Sequence, residues 1–269
     1  MSDSNQIHPT AIIADSVKLG SGVKIGPYCV IGENVTIGDG SELSSHVSIQ
    51  CRTIIGENVK IFPFVSIDIS QDLKYEGEDS SVEIGDNTVI REYVTINNGS
   101  HYDKNTTIVG KNCLLMIGTH VAHDCVVGDN VIIANNTVLG GHVTVEDNVV
   151  IGGMAAVHPK VKIGRNAIIG GMSGIANDVI PYGNAKNDRA YLDGLNIIGM
   201  KRGGMSRAKM QEMNRFFAEL FDEVEGNFLD RVEIVKEKYS DNENIQYIIS
   251  FIKDASNRSI CMPKTKKEG

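Results

Sequence analysis

Aliphatic residues recur at every sixth position from Ile7 through Leu19, Ile25, Ile31, Leu43 and Ile55 to Ile67. They recur again from Val109 through Leu115, Val121, Ile133, Val145, Ile151 and Ile163 to Ile175. A strict period of six fits neither the 3.6-residue helical repeat nor the two-residue alternation of an ordinary strand. Gly often follows the aliphatic residue (Gly20, Gly26, Gly32, Gly128, Gly140, Gly152), and Val tends to stand four positions after it. Each hexapeptide reads as a short strand closed by a tight corner, and the series as a parallel β-helix. Three hexapeptides close one triangular coil, so residues 18 apart stack at the strand spacing of roughly 4.8 Å. The aliphatic ladders then point inward, and neighbouring coils complete the core and pair each other's backbone groups.

The period breaks around 70–83 and around 97–107, segments rich in charge or in Gly, Asn and Asp. These read as loops leaving the prism, and loops on a rigid scaffold often carry function. The hexads fade after Ile175, and Pro181 with Gly183 marks a boundary. Beyond it, Met210, Met213, Phe217 and Leu220, then Ile245, Ile248, Ile249 and Ile252, follow the three- and four-residue spacing of amphipathic helices. The expected fold is mainly β: residues 1–183 form the parallel β-helix with its two excursions, and residues 184–269 form a C-terminal α-helical cap.

Composition agrees with a periodic interior, because a chain with no Trp and 28 Gly cannot be built around large rings. No large aromatics stand out on the prism faces, so subunit interfaces leave little signal. The five cysteines are odd in number and lack CxxC spacing, which points to small buried hydrophobes. The stretch from Met1 to Thr10 is polar and no apolar run approaches the roughly 18 residues of a membrane span, so a cytoplasmic protein with no transmembrane segment is expected. A net charge of −8 argues against general nucleic-acid binding. It leaves room for a local basic patch at Lys201, Arg202, Arg207 and Lys209, readable as a solvated helix entry or as a docking site.

Four histidines lie in the regular prism: His120, His123, His142 and His158. With 18 residues per coil, His123, His142 and His158 fall on successive coils near one corner and are expected to line one groove. Three readings compete there: surface polar residues, a metal site, and a general base with binding partners. The metal reading draws on γ-type carbonic anhydrases, which share the repeat and hold zinc with histidines of neighbouring coils. The base reading draws on Asp124 beside His123, since a carboxylate orients an imidazole for proton abstraction. A base-assisted attack on a carbonyl also needs a donor for the tetrahedral oxyanion. Gly141, one coil from His123, offers a backbone N–H that a substrate can approach closely.

Gln71-Asp72-Leu73-Lys74-Tyr75, His120-Val121-Ala122-His123-Asp124-Cys125, Gly140-Gly141-His142-Val143, and Gly152-Gly153-Met154 through His158 occur in this order, followed by Ser173-Gly174 to Pro181-Tyr182. Over nearly its whole length the chain resembles the UDP-N-acetylglucosamine 3-O-acyltransferases of lipid A biosynthesis, members of the hexapeptide-repeat acyltransferases. The resemblance implies a left-handed β-helix and a homotrimer with sites between adjacent prisms. It implies transfer of an acyl group, expected to be a 3-hydroxy fatty acyl, from acyl carrier protein to the 3-hydroxyl of UDP-N-acetylglucosamine, without metal or cofactor. It assigns His123 as general base, Asp124 as its supporting carboxylate and the Gly141 amide as oxyanion donor. Asp72, Lys74, His120, His142 and His158 become substrate-positioning residues, with Asn196 and Arg202 near the nucleotide.

Gly171 stands at the position that resembles the family's acyl-length ruler and implies a medium to long chain. Arg202, Arg207 and Lys209 are expected to dock the acidic carrier. Three positions depart from the family pattern: Pro159 in place of Gln, Ile198 in place of an acidic residue, and Gly203 in place of a second basic residue. These departures bear on the nucleotide contacts and on the choice between a sugar hydroxyl and an amine. The alternatives are a related nucleotide-sugar N-acyltransferase and a non-enzymatic hexapeptide scaffold.

Overall fold

The computed structural model describes residues 4–77, 79–101, 103–221, 227–255 and 259–264. Short strands, most of two residues, build three sheets of 11, 9 and 8 strands, and as far as Gly174–Ile175 the chain visits the first, second and third sheet in strict rotation. Each aliphatic position pairs in parallel with its counterpart one coil on: Ile25 with Leu43, Leu43 with Ile61, Leu115 with Ile133, and Ile133 with Ile151. The regular step is therefore 18 residues. It lengthens twice, where Ile61 pairs with Ile90 and Ile90 with Leu115.

Both lengthened steps arise at one corner. The first excursion lies between the strands Ser66–Asp68 and Ser81–Ile84, and the second between Thr95–Asn97 and Thr106–Val109. In each case the chain is passing from the second sheet to the third.

The interior is filled by the predicted ladders. Ile31, Ile49, Ile67, Ile96, Leu115, Ile133 and Leu139 are fully or almost fully buried, each burial contributing about 2–3 kcal/mol of hydrophobic free energy. A second inward position two residues earlier takes smaller side chains such as Val47, Val65, Cys125 and Val143. At most corners the chain turns through one residue in left-handed backbone, often Asn, as at Asn34, Asn58, Asn112 and Asn130. Coils approach so closely there that a Cβ on Gly128 would collide with Asp147 Oδ1. All five cysteines are buried and unpaired, and desolvation pushes the Cys125 thiol up to about 12.

One corner departs from expectation. Tyr28, His46, Phe64 and Tyr93, all left-handed, stack as a ladder with ring centroids 5.0, 4.9 and 5.2 Å apart, and the three carbocyclic rings face outward. The prism does carry large exposed aromatics. Their spacing of 18 between Tyr28, His46 and Phe64 is visible in the sequence once the coil length is known.

The C-terminal region does not begin as a helix. The strand Gly183–Lys186 extends the first sheet beside Ile168–Ile169 and turns back antiparallel onto Tyr191–Leu195, which caps that sheet. Helices α1 (Ile197–Arg202), α2 (Arg207–Phe221), α3 (Phe228–Lys238) and α4 (Glu243–Asp254) follow. They bury Met213, Phe216, Leu220, Val235, Ile245, Ile248 and Ile249 among themselves and against the prism. On α4, Tyr247 Oη donates to Glu146 Oε2 at 2.8 Å and its ring lies 3.7 Å beneath the Arg165 guanidinium. No described helix is long and apolar enough to cross a membrane.

Candidate active site

The corner between the second and third sheets, where both excursions leave the prism, also carries the clustered histidines. His123 follows the strand His120–Val121, and His142 and His158 occupy the same corner on the next two coils. Asp124 holds left-handed backbone (φ 58°), which turns its carboxylate inward beside the His123 ring. His123 Nδ1 lies 2.9 Å from Asp124 Oδ2. Asp124 is fully buried, and the second excursion satisfies it: Ser100 N–H donates to Oδ1 at 2.9 Å and Ser100 Oγ to Oδ2 at 2.6 Å. A carboxylate so held is an acceptor, so it fixes Nδ1 of His123 as the donor and leaves the lone pair of the neutral ring on Nε2.

That Nε2 meets a bare backbone. A Cβ on Gly141 would stand 2.5 Å from His123 Nε2, so the imidazole occupies the space a side chain would need. The Gly141 N–H donates to no group among the described residues. An imidazole lone pair and an unspent amide donor thus line one cavity of about 510 Å³, together with Asp72, Asn97, His120, His142 and Pro159. Asp72 Oδ2 stands 3.9 Å from His123 Nε2 on the first excursion. Asn97 and Asn98 clamp that excursion, donating to Ile69 O at 2.9 Å and accepting from Ser70 N–H at 2.8 Å. His120 bonds Thr95 Oγ1 through Nδ1 at 2.8 Å; burial, and then neighbouring His123, lower its pKa, so it favours the neutral ring.

Donor atoms of His123, Asp124 and His142 lie within 4.8 Å of one another. Both imidazoles already commit Nδ1 to carboxylates, and Asp124 accepts from Ser100 as well. Among the described residues neither ring spends its Nε2 on a hydrogen bond, so those two atoms are what the cluster offers a further ligand.

Comparison with known proteins identifies the family. A family profile described as the second domain of UDP-N-acetylglucosamine O-acyltransferase matches residues 178–261, and a bacterial transferase hexapeptide profile matches residues 16–51 and 106–141. The acyl-[acyl-carrier-protein]–UDP-N-acetylglucosamine O-acyltransferase of Rickettsia bellii is 49% identical over 262 residues, 97% of this chain and 92% of the relative; that of Bartonella quintana is 45% identical over 96% and 94%. The chain belongs to the UDP-N-acetylglucosamine O-acyltransferase family. Among solved structures, the Moraxella catarrhalis UDP-N-acetylglucosamine O-acyltransferase superposes with a TM-score of 0.91 at 37% identity over 95% of this chain and 99% of that one. The Campylobacter jejuni acyltransferase does so at 0.89 and 32% over 97% and 100%. The fold is accordingly the left-handed β-helix of these O-acyltransferases, with a C-terminal helical region.

The residues named for this O-acyltransferase from its sequence divide by corner. His123, Asp124, Gly141, His142, His120 and Asp72 come together. Lys74 follows on the first excursion, exposed, with its N–H bonded to Asp72 Oδ1 at 3.0 Å. His158 stands on the same corner but in the column of Ala122 and Gly140, not that of His123, and lines an adjoining cavity with Asp188 and Arg189. The 16-residue step from His142 shifts it by two columns. Gly171 lies at the corner between the first and second sheets, over Gly153.

Asn196 caps α1, accepting from Gly199 N–H at 2.9 Å and donating to Asn166 O at 2.8 Å, at the corner between the third and first sheets. Arg202, Arg207 and Lys209 are exposed around the junction of α1 and α2, where Ile198 is 66% exposed and Gly203 ends α1. Sequence reading missed Ser100, Thr95, Asn97, Asn98 and Asp103, whose only signal was their position in or beside the two excursions.

The close approach at Gly141 has a testable consequence. Because the nearest atoms a Cβ on Gly141 would meet are side-chain atoms of His123 and not backbone, Gly141→Ala can fold by pushing the imidazole aside. Thermal unfolding of this variant is expected within a few degrees of wild type, while transfer falls by about 100-fold or more through misplacement of the ring. Wild-type rates in the Ala variant would show that the Gly141–His123 contact is unimportant.

Proposed function

We propose that this chain catalyses acyl transfer from acyl carrier protein to the 3-hydroxyl of UDP-N-acetylglucosamine, with His123 as general base, in the cytoplasm and as a homotrimer. The observation that carries the chemistry is the pairing of His123 with the buried, fully hydrogen-bonded Asp124, leaving Nε2 in the cavity beside the Gly141 N–H. Nε2 takes the proton of the sugar hydroxyl as its oxygen attacks the thioester carbonyl. The tetrahedral oxyanion receives the Gly141 N–H. Collapse breaks the C–S bond, and the departing thiolate takes the proton back from His123. Base catalysis of this kind contributes about 10²–10⁴-fold, and one oxyanion donor about 10²–10³-fold.

Asp72, Lys74, His120 and His142 position the sugar, and Asn196 and Arg202 meet the nucleotide. Gly171 and Asn196 stand on other corners than His123. That distribution supports a site completed between adjacent copies: one prism supplies the base, its neighbour the bare glycine corner that accommodates a medium to long acyl chain, with His158 on the adjoining stretch of groove. Arg202, Arg207 and Lys209 form a local cationic patch on an acidic chain, suited to an acidic carrier.

Transfer from a 3-hydroxyacyl carrier protein, assayed without added metal, is expected to fall by at least about 10²-fold in a folded His123→Ala variant. Retention of transfer in that variant would eliminate His123 as the base. Neutralising Arg202, Arg207 and Lys209 together is expected to weaken carrier binding at low salt and to flatten its salt dependence. Unchanged, salt-independent affinity would disprove the docking assignment.

A further inference from the structure

Beside the His123–Asp124 pair stands a second carboxylate–imidazole pair. His142 Nδ1 lies 2.7 Å from Oδ2 of Asp103, on the second excursion. The two imidazoles meet edge to face, with centroids 4.9 Å apart and planes at 86°. The backbone of His142 is fixed by its N–H to His123 O at 2.9 Å, but among the described residues only Asp103 holds its ring by a hydrogen bond. A competing acceptor is close by. Asp124 Oδ2 stands 3.9 Å from His142 Nδ1, and that oxygen already accepts from His123 Nδ1 and Ser100 Oγ.

The ring of His142 therefore has two carboxylates within a small rotation, and one of them is the oxygen that orients His123. Lys104 ties the arrangement together: its Nζ lies 3.5 Å from Asp103 Oδ2 and 3.3 Å from the Asp124 carbonyl oxygen.

We propose that Asp103 is a positioning residue of the acyl-transfer site, which engages His142 Nδ1 and so keeps His142 from competing with His123 for Asp124. With Nδ1 spent on Asp103, His142 presents Nε2 to the cavity as a fixed partner for a polar group of the amino sugar. His123 keeps sole imidazole access to Asp124 Oδ2. The charge environment suits this role. Partial burial works against ionisation of Asp103, but the hydrogen bond from His142 and the nearby Lys104 outweigh it and hold the carboxyl below its ordinary value, so it is an anionic acceptor at neutral pH. The groups facing His142 are Asp103 with Lys104 from the second excursion, and His123 with Asp124 from the coil before it.

The inference rests on the proposed role of His123, and the experiment separates the two. Transfer kinetics are measured for wild type, Asp103→Ala, Asp103→Glu, His142→Ala, the Asp103→Ala/His142→Ala double variant, and His123→Ala, each checked for folding by thermal melting. Asp103→Ala is expected to lower kcat/KM by about tenfold or more, and Asp103→Glu to recover part of that loss. In the His142→Ala background, removing Asp103 is expected to cost less than about twofold, because the residue acts through His142.

Full additivity of the two losses, or a wild-type rate for Asp103→Ala, would overturn the proposal while His123→Ala remains inactive. A loss in Asp103→Ala that tracks a lowered melting temperature and persists in the His142→Ala background would overturn it equally, as a loop-stability effect. Undiminished transfer by His123→Ala would instead strike the base assignment itself.

Discussion

Everything at this site depends on the parallel pairing of one coil with the next. A two-residue strand cannot be stable alone; it forms because its N–H and C=O groups pair with the coils on either side, and because its aliphatic side chain stacks on those 18 residues away. That pairing fixes where every outward side chain stands. Residues far apart in sequence, such as His123 and Gly141, become vertical neighbours with the imidazole resting on a backbone that carries no Cβ. The same rigidity lets the corner tolerate an unspent amide and an imidazole lone pair facing solvent, since little reorganisation is available to satisfy them otherwise.

The two excursions leave the prism at this corner on consecutive coils, and each ends as a brace. The first carries Asp72 toward His123 and is tied down by Asn97 and Asn98. The second supplies Ser100 to Asp124 and Asp103 to His142. Burying Asp124 without Ser100 would leave a desolvated carboxylate with His123 as its one partner among the described residues, a costly arrangement. The excursion thus makes the buried acid tolerable, and the acid in turn fixes the tautomer of His123.

The prism was legible because its rule is arithmetic: a strict six implies corners, a coil of 18 and vertical columns. His123, Asp124 and Gly141 followed from that arithmetic together with the family resemblance. His158 shows its limit, for nearness in coil count placed it at the right corner but not in the right column. The braces were not legible. Asp103 lies 39 residues from His142 and Ser100 lies 24 from Asp124, and neither interval is a multiple of the repeat, because the excursion itself breaks the register. The antiparallel hairpin before α1 was missed because Gly183–Lys186 lacks the aliphatic hexad and forms by edge pairing with Ile168–Ile169. The outward aromatic ladder was present in the spacing of Tyr28, His46 and Phe64 but is small against a chain of aliphatic signals.

In the proposed mechanism, acyl transfer occurs where His123 Nε2 faces the Gly141 amide. A crystal structure of the protein with UDP-N-acetylglucosamine bound tests it most directly. The sugar 3-hydroxyl oxygen is expected within about 2.6–3.2 Å of His123 Nε2. The face of that oxygen is expected to be open toward the Gly141 N–H, with the Asp124–Ser100 hydrogen bonds intact. A sugar bound elsewhere on the prism, or bound here with its 3-hydroxyl turned away from His123, would contradict it.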